Sequence, residues 1–133
     1  MRHTGGLFEL GGMGAGDHHM ALGLIGQGHK SVPGRVHPNY LHSVNIWQQR
    51  AFTHFNRKIG VVNQTIEHPF HGKKIDRGYQ ERWSMFIDFQ FDPYADLKRN
   101  EHGVLEFSGN KPELERAFDL YLRSRNEDVN SLS

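Results

Sequence analysis

Six consecutive residues near the start of this chain, Gly14-Ala15-Gly16-Asp17-His18-His19, combine small residues with groups that can transfer protons. Small residues let a backbone approach a ligand closely, and a helix that begins behind them offers free N–H groups and positive potential. A carboxylate at that rim, as at Asp17, is placed to accept a proton from a substrate hydroxyl. From spacing alone the structural alternative is commoner: Asp17 caps a helix, and His18 and His19 are solvated.

A second cluster, His68-Pro69-Phe70-His71, follows a predicted strand. Two imidazoles three residues apart can turn toward one metal ion once Pro69 fixes the bend, although a third ligand, a carboxylate, must come from elsewhere. With ten histidines and no cysteine, the chain favours nitrogen and oxygen ligation, which suits Mn²⁺, Mg²⁺, Zn²⁺ or Fe²⁺. The alternative, a pair of polar loop histidines, is the commoner outcome for this spacing.

Four cations, Lys73, Lys74, Arg77 and Arg82, follow the histidine pair. Cations beside a metal suit a diphosphate that gains charge as a glycosyl bond breaks. The commoner alternative is a solvated basic face at the start of a helix. Several aromatic side chains could stack on a sugar, although their helical spacing favours a place in the core: Tyr40, Trp47, Tyr79 and Trp83.

The elements that must position these residues are predicted to be mostly helices. Residues 17–25 form a short helix capped by Asp17, and the clearest helix opens at Pro38-Asn39. The basic stretch 73–82 leads into a third helix, which ends at Phe91-Asp92-Pro93, and a last helix starts at Lys111-Pro112. Short strands are predicted at 60–67 and 103–107. The inward faces of the helices are expected to carry Met20 and Leu24, with Leu22 as an alternative; Tyr40, Val44, Trp47, Ala51 and Phe55; Tyr79, Trp83, Phe86 and Ile87; and Leu114 and Phe118 with Tyr121 or Leu122.

Composition excludes several classes of protein. A net charge of +1, from 16 basic and 15 acidic residues, provides no global basic field for nucleic acid or an anionic membrane. The absence of cysteine excludes disulfides, thiolate metal sites and a cysteine nucleophile, and it fits a cytoplasmic location. No apolar run reaches the roughly 18 residues of a membrane span, and the N-terminus has no signal-peptide pattern. Motifs of zinc metalloproteases, serine hydrolases, P-loop NTPases and Rossmann enzymes do not occur.

In their order and separation, these clusters resemble the C-terminal half of GT-A glycosyltransferases, which have a nucleotide-diphospho-sugar transferase fold. The likeness is to the β-1,4-galactosyltransferase family and to bacterial and phage transferases of the family 2 type. It begins at Gly5-Gly6-Leu7-Phe8-Glu9 and continues through residues 14–19. It ends in the stretch His-Gly-Lys-Lys-x-Asp-Arg-x-Tyr-x-x-Arg-Trp and the later Phe-Asp-Pro-x-x-Asp-Leu, so that it covers most of residues 5–125.

The resemblance implies an α/β fold, of which this chain is the helix-rich C-terminal portion. Residues 1–125 would be a single domain on the acceptor and metal side, and residues 126–133 a polar tail. The implied reaction transfers a hexosyl group, galactosyl in the named family, from a nucleotide diphosphate sugar to a hydroxyl of a glycan or other acceptor. The roles implied are a general base, Asp17; an acceptor side, Gly14, Ala15, Gly16 and His18; ligands for Mn²⁺ or Mg²⁺, His68 and His71; and diphosphate-binding cations, Lys73, Lys74 and Arg77.

The sequence departs from the family in two respects. The Trp and Glu of the family's acceptor motif are replaced here by Met13 or Gly14 and by Gly16, so the identity of the acceptor does not carry over. Family members also place a nucleotide-binding half with an Asp-x-Asp metal motif before these residues, and no Asp-x-Asp occurs in this sequence. We therefore expect a fragment, a split gene product or a degenerate copy that lacks the nucleotide-binding half and has little activity alone.

Two other classes of function stay open. One is a non-catalytic, histidine-rich metal-binding interaction module, such as an accessory or phage protein. The other is a His-metal nuclease, which needs an Asn or His general base on a ββα-metal hairpin, and the helix after His71 does not supply it. The near-neutral charge also disfavours a nucleic-acid partner.

Overall fold

A computed structural model describes residues 5–12, 14–65, 67 and 79–124 of the chain. Within these ranges four α-helices, one short 3-10 helix and a two-stranded antiparallel sheet follow one another along the chain. The α-helices are α1 (Gly16–Leu24), α2 (Pro38–Phe55), α3 (Tyr79–Asp88) and α4 (Pro112–Ser124), the 3-10 helix is Gly28–Ser31, and the strands are β1 (Leu97–Arg99) and β2 (Leu105–Phe107). The described part is therefore helix-rich, as predicted.

Helix α2 is the centre of the core, and its predicted apolar stripe is confirmed. Tyr40, Val44, Trp47 and Ala51 are all buried, as residues spaced three or four apart on one helical face should be. Pro38 occupies the first turn, where its missing N–H has no intrahelical partner to lose. The helix ends at Phe55, earlier than the glycine at position 60 implied.

The end of α2 is set by the backbone of the residue that follows it. Asn56 adopts a left-handed conformation with φ of 45°, and its N–H bonds to the carbonyl of Phe52 at 2.8 Å. Asparagine tolerates this conformation better than most residues, so it can stop a helix without glycine. Phe55, on the last turn, is 37% exposed rather than inward.

Helix α3 packs its Phe86 side chain against the chain that leaves the helix. Phe86 and Phe91 are both buried, and their rings stack with centroids 4.7 Å apart. The helix ends at Asp88, upstream of Pro93, as the Phe91-Asp92-Pro93 break predicted. Trp83 is half-buried and meets the Tyr40 ring edge-on at 5.9 Å, so α3 contributes to the same aromatic core as α2.

The predicted strand at 60–67 is wrong for the part of it that the structure describes. Residues 60–65 form no strand, and the side chains of Val61 and Val62 are 96% and 75% exposed. Their β-branched composition had favoured a strand, but strand propensity expresses packing on a neighbouring strand and a core. Among the described residues no strand pairs with this segment.

The hairpin of β1 and β2 precedes α4. The strand predicted at 103–107 is confirmed at Leu105–Phe107, and its partner β1 pairs so that Leu97 lies opposite Phe107. Phe107 in turn meets Phe118 of α4 edge-on at 5.0 Å. On α4, Leu114 and Tyr121 are buried and Leu122 is 46% exposed, so Tyr121 and not Leu122 completes the predicted face.

A buried carboxylate, that of Asp96, joins the turn after α3 to the start of α4. It accepts hydrogen bonds at 2.8 Å from Lys111 Nζ, from Asn110 Nδ2 and from the backbone N–H of Asp92. Burial alone would raise the pKa of Asp96, but these hydrogen bonds, led by that of Lys111, outweigh it and hold the pKa below its ordinary value. The side chain is therefore an ionised hub that fixes both segments.

Candidate active site

The glycine-rich loop delivers Asp17 to the first turn of α1. Ala15 adopts a left-handed conformation, with φ of 61°, and its carbonyl accepts the N–H of His19 at 2.9 Å, which starts the helix. Asp17 was predicted to be the cap residue, and this is wrong, because Ala15 holds the cap position and makes no side-chain cap hydrogen bond. The reason is the backbone: the reversal occurs at Ala15, so helical geometry already begins at Gly16.

The position of Asp17 leaves its carboxylate available. The side chain is exposed, and no described residue donates a hydrogen bond or an ion pair to it. As an acidic residue in the first turn, it also lies where the helix dipole favours negative charge. The adjacent His18 is exposed too.

The small residues before Asp17 make close approaches within the protein itself. Gly14 has φ of 110°, and a Cβ there would lie 2.8 Å from Nη1 of Arg82. A Cβ on Gly16 would lie 3.1 Å from the carbonyl oxygen of Phe8. The loop is thus in close contact with Arg82 of α3 and with the backbone of Phe8, and these contacts restrict the position of Asp17.

Arg82 belongs to the predicted basic stretch but does not lie on a solvated face. It is buried, and its guanidinium lies 5.5 Å from the centre of the Trp83 ring, within the range of a cation–π contact. The periodicity of α3 explains this, since Arg82 is one turn before the buried Phe86. Its charge therefore acts on the buried groups beneath the glycine-rich loop.

The histidine next to this pair, His19, is buried, with 1% of its surface exposed, which corrects the expectation of a solvated side chain. Its Nδ1 lies 2.6 Å from Ser31 Oγ and its Nε2 lies 2.9 Å from the Tyr40 hydroxyl. Ser31 belongs to the 3-10 helix and Tyr40 to α2. One imidazole thus connects α1 to the two elements that pack on it.

The partners of His19 determine where its proton lies. The Ser31 hydroxyl donates its only proton to the carbonyl of Gly28 at 2.5 Å, so His19 Nδ1 must be the donor to Ser31 Oγ. In the neutral ring Nε2 then carries a lone pair and accepts from the Tyr40 hydroxyl. Every polar atom of this group is paired when the imidazole is neutral.

The electrostatics agree with a neutral ring. Burial, and then the charges of His18 and Arg82, lower the pKa of His19 from 6.5 to about 4, while Asp17 acts in the opposite direction. Burial likewise raises the pKa of the Tyr40 hydroxyl far above its ordinary value, with Arg82 opposing. Neither group exchanges protons near neutral pH, so they position α1 rather than perform acid–base chemistry.

Sequence reasoning missed this role of His19, although one pattern indicated it. On α1 the predicted buried residues were Met20 and Leu24, with Leu22 as an alternative. Met20 and Leu24 are half-buried against the core, and Leu22 is half-buried too. His19 and Gly23, each one residue earlier, are the fully buried positions of the same face. Gly23 allows this, since a Cβ there would lie 3.1 Å from the Trp47 ring.

The predicted metal and diphosphate residues lie outside the described residues: His68, His71, Lys73, Lys74 and Arg77. The described part of the chain contains no group of three or more His, Asp or Glu side chains that could hold a metal ion. It also contains no helix long and apolar enough to cross a membrane. Of the aromatic side chains considered for sugar stacking, Tyr40 and Trp47 belong to the core, as their spacing indicated.

Comparisons with models of known protein families, with curated protein sequences and with solved structures find no match to this chain. Inference about function therefore depends on the geometry around Asp17 and on the sequence pattern.

Proposed function

We propose that the chain is the acceptor-side half of a metal-dependent glycosyltransferase. It would transfer a hexosyl group, with galactosyl the first choice, from a nucleotide diphosphate sugar to a hydroxyl of a glycan or other acceptor. The fold assignment behind this, the C-terminal portion of a GT-A fold, comes from the sequence resemblance to a family whose members also have a nucleotide-binding half. The cytoplasmic location predicted from the cysteine-free composition stays a prediction.

The observation that supports the proposal most is the position of Asp17. Its carboxylate is exposed and without a partner among the described residues, and the next-but-one residue, His19, fixes its helix through two buried hydrogen bonds. A general base needs both properties, because it must reach the acceptor proton and must not be engaged elsewhere. Gly14, Ala15 and Gly16, which carry little or no side chain, precede it in the chain, and the exposed His18 that follows would be a polar contact for the acceptor.

In the proposed reaction Asp17 takes the proton of the acceptor hydroxyl as that oxygen attacks the anomeric carbon of the donor. The bond from that carbon to the nucleotide diphosphate breaks, and the diphosphate leaves with the bonding electrons. Lys73, Lys74 and Arg77 would stabilise the charge of the leaving group. His68 and His71 would contribute two ligands to Mn²⁺ or Mg²⁺, which supplies Lewis-acid stabilisation of the diphosphate when bound.

Two separate measurements test the two halves of this proposal. Mn²⁺ together with UDP-galactose or UDP-glucose should raise the melting temperature of the chain, and His68→Ala or His71→Ala should abolish that shift. Asp17→Asn should leave the shift intact. No shift with any divalent metal would remove the metal assignment.

The second measurement is release of UDP in the presence of hydroxyl acceptors, followed over long incubations because the chain alone is expected to have little activity. Asp17→Asn should lower the rate about 100-fold or more, since a general base contributes about that much. Asp88→Asn, an exposed carboxylate at the end of α3, is the matched control and should retain the rate. A rate that is unchanged in Asp17→Asn would contradict the role of Asp17. If, in addition, His71→Ala lowered the melting temperature without any nucleotide sugar, the non-catalytic metal-binding module would be favoured.

A further inference from the structure

A cleft of about 170 Å³ opens between the loop 5–10, α2 and the region of β1. Its walls are largely apolar and include the buried side chains of Phe8 and Trp47 together with Ile46. The indole N–H of Trp47 donates to the carbonyl of Gly6 at 3.1 Å. Because that N–H is already engaged, Trp47 offers the cleft only apolar ring surface.

Three charged side chains line the cleft, and two of them neutralise each other. Arg99 donates to Glu9 Oε2 at 2.5 Å through Nη2 and to the carbonyl of Gly103 at 2.6 Å through Nη1. Arg50, on the exposed side of α2, has no carboxylate within salt-bridge distance among the described residues. The lining therefore keeps one uncompensated positive charge, on Arg50.

The Arg50 guanidinium is held close to the backbone of the loop. A Cβ on Gly5 would lie 3.1 Å from Arg50 Nη1, so the glycine leaves the space that the guanidinium occupies. Gly5 also has φ of 80°, which favours glycine independently. The cation thus stands at the edge of the cleft.

An aromatic ring stands at the mouth of the same cleft. Tyr94 is 50% exposed, its ring lies 6.2 Å from that of His42, and its backbone N–H bonds to Asp92 Oδ1 at 2.9 Å. The backbone of Tyr94 is therefore held by Asp92, and half of the side-chain surface is accessible to a ligand. Small-molecule sites combine such apolar walls with a few polar groups that fix orientation.

We propose that this cleft binds a small organic anion, with its carboxylate or phosphate on Arg50 and a body of about one ring against Trp47 and Tyr94. A guanidinium presents paired N–H donors that match the geometry of both anions. The volume is below the roughly 300–1,000 Å³ of sites for drug-sized ligands, so a complete nucleotide sugar does not fit. The inference rests on the cleft and is independent of the proposed glycosyl transfer.

Calorimetric titration of the full chain with matched pairs of probes tests the proposal. Benzoate and phenyl phosphate are compared with neutral benzyl alcohol, and glucuronate is compared with glucose. At least one anion should bind about tenfold or more tightly than its neutral counterpart, as expected for a hydrogen bond to a charged group. A preference for benzoate or phenyl phosphate over benzyl alcohol indicates an apolar ligand body, whereas a preference for glucuronate over glucose indicates a sugar. Comparing the affinities of benzoate and phenyl phosphate distinguishes a carboxylate from a phosphate.

Variants then assign the binding to the cleft. Arg50→Gln should remove the preference for the anion, whereas Arg116→Gln, an exposed arginine of α4 outside the cleft, should keep it. Tyr94→Ala should weaken both members of a pair about equally and leave the preference for the anion. The proposal is overturned if no anion binds more tightly than its neutral counterpart, or if the preference survives Arg50→Gln in a folded variant.

Discussion

Replacing His19 with phenylalanine should destabilise the chain strongly near neutral pH and only weakly in mild acid. The phenyl ring fills most of the space of the imidazole but makes neither hydrogen bond, so the hydroxyl of Tyr40, whose side chain is 0% exposed, loses its acceptor. An unpaired buried hydroxyl costs about 1–3 kcal/mol, and loss of the bond to Ser31 adds about 1 kcal/mol. We expect a loss of about 2–4 kcal/mol in the free energy of unfolding at about pH 7.5.

The pH dependence follows from the lowered pKa of His19. Between its ordinary value of 6.5 and about 4, the unfolded chain binds a proton at this residue and the folded chain does not. Protonation therefore favours the unfolded chain, and the wild-type protein loses stability as the pH falls through this window. The full difference between the two pKa values corresponds to about 3 kcal/mol. Phenylalanine cannot titrate, so the gap between wild type and variant should narrow by about 2–3 kcal/mol at about pH 4.5.

Urea unfolding followed by tryptophan fluorescence measures both free energies across this pH range. His102→Gln is the control, because the His102 side chain is 77% exposed, and it should keep the wild-type pH dependence. A gap that stays constant from about pH 7.5 to about pH 4.5 would refute the neutral, buried imidazole. So would an NMR titration that places the pKa of His19 at its ordinary value.

Two further changes test the buried carboxylate and the glycine-rich loop. Asp96→Ala should lower the free energy of unfolding by about 3 kcal/mol, because it removes a buried carboxylate that accepts three part-buried hydrogen bonds. In the same urea experiment Asp119→Ala, which breaks an exposed pair on α4, should have little effect, and equal losses would contradict the role of Asp96. Gly14→Ala should cost about 1–3 kcal/mol, because φ is positive and the new Cβ would meet Arg82. Gly34→Ala, where nothing lies within 4 Å, should be nearly neutral in the same urea experiment, and a neutral Gly14→Ala would show that the loop can shift.

The helices could be predicted because their apolar residues repeat with the helical period. Helix α2 shows this best: Tyr40, Val44, Trp47 and Ala51 define one face in the sequence and are the buried residues in the structure. Strand β1 was not predicted, since Leu97-Lys98-Arg99 has three residues and only one apolar side chain. A strand this short is defined by its partner, which no local pattern contains.

Features of the candidate site could be predicted from the sequence only where they are set by residues close by in the chain. Asp17 at the start of a helix follows from the glycines before it, although the cap itself falls on Ala15. The burial of His19 depends on Ser31 and Tyr40, which are 12 and 21 residues away, so only the folded chain brings them together. The uncompensated charge of Arg50 depends on the folded chain in the same way, because the one carboxylate among the described residues of the cleft, on Glu9, pairs with Arg99, 90 residues away.

The Asp96 hub also has a consequence in terms of chain entropy. Its carboxylate, together with the bond from the N–H of Ser108 to its carbonyl at 2.8 Å, closes the base of the hairpin at 97–107. The far turn, at 101–104, is exposed. Doubling the length of a closed loop raises its closure free energy by only about 0.6 kcal/mol, so we expect residues added at this turn to be tolerated. The hairpin tip is thus a place where the described part of the chain can gain length, or carry a probe, away from the core and the glycine-rich loop.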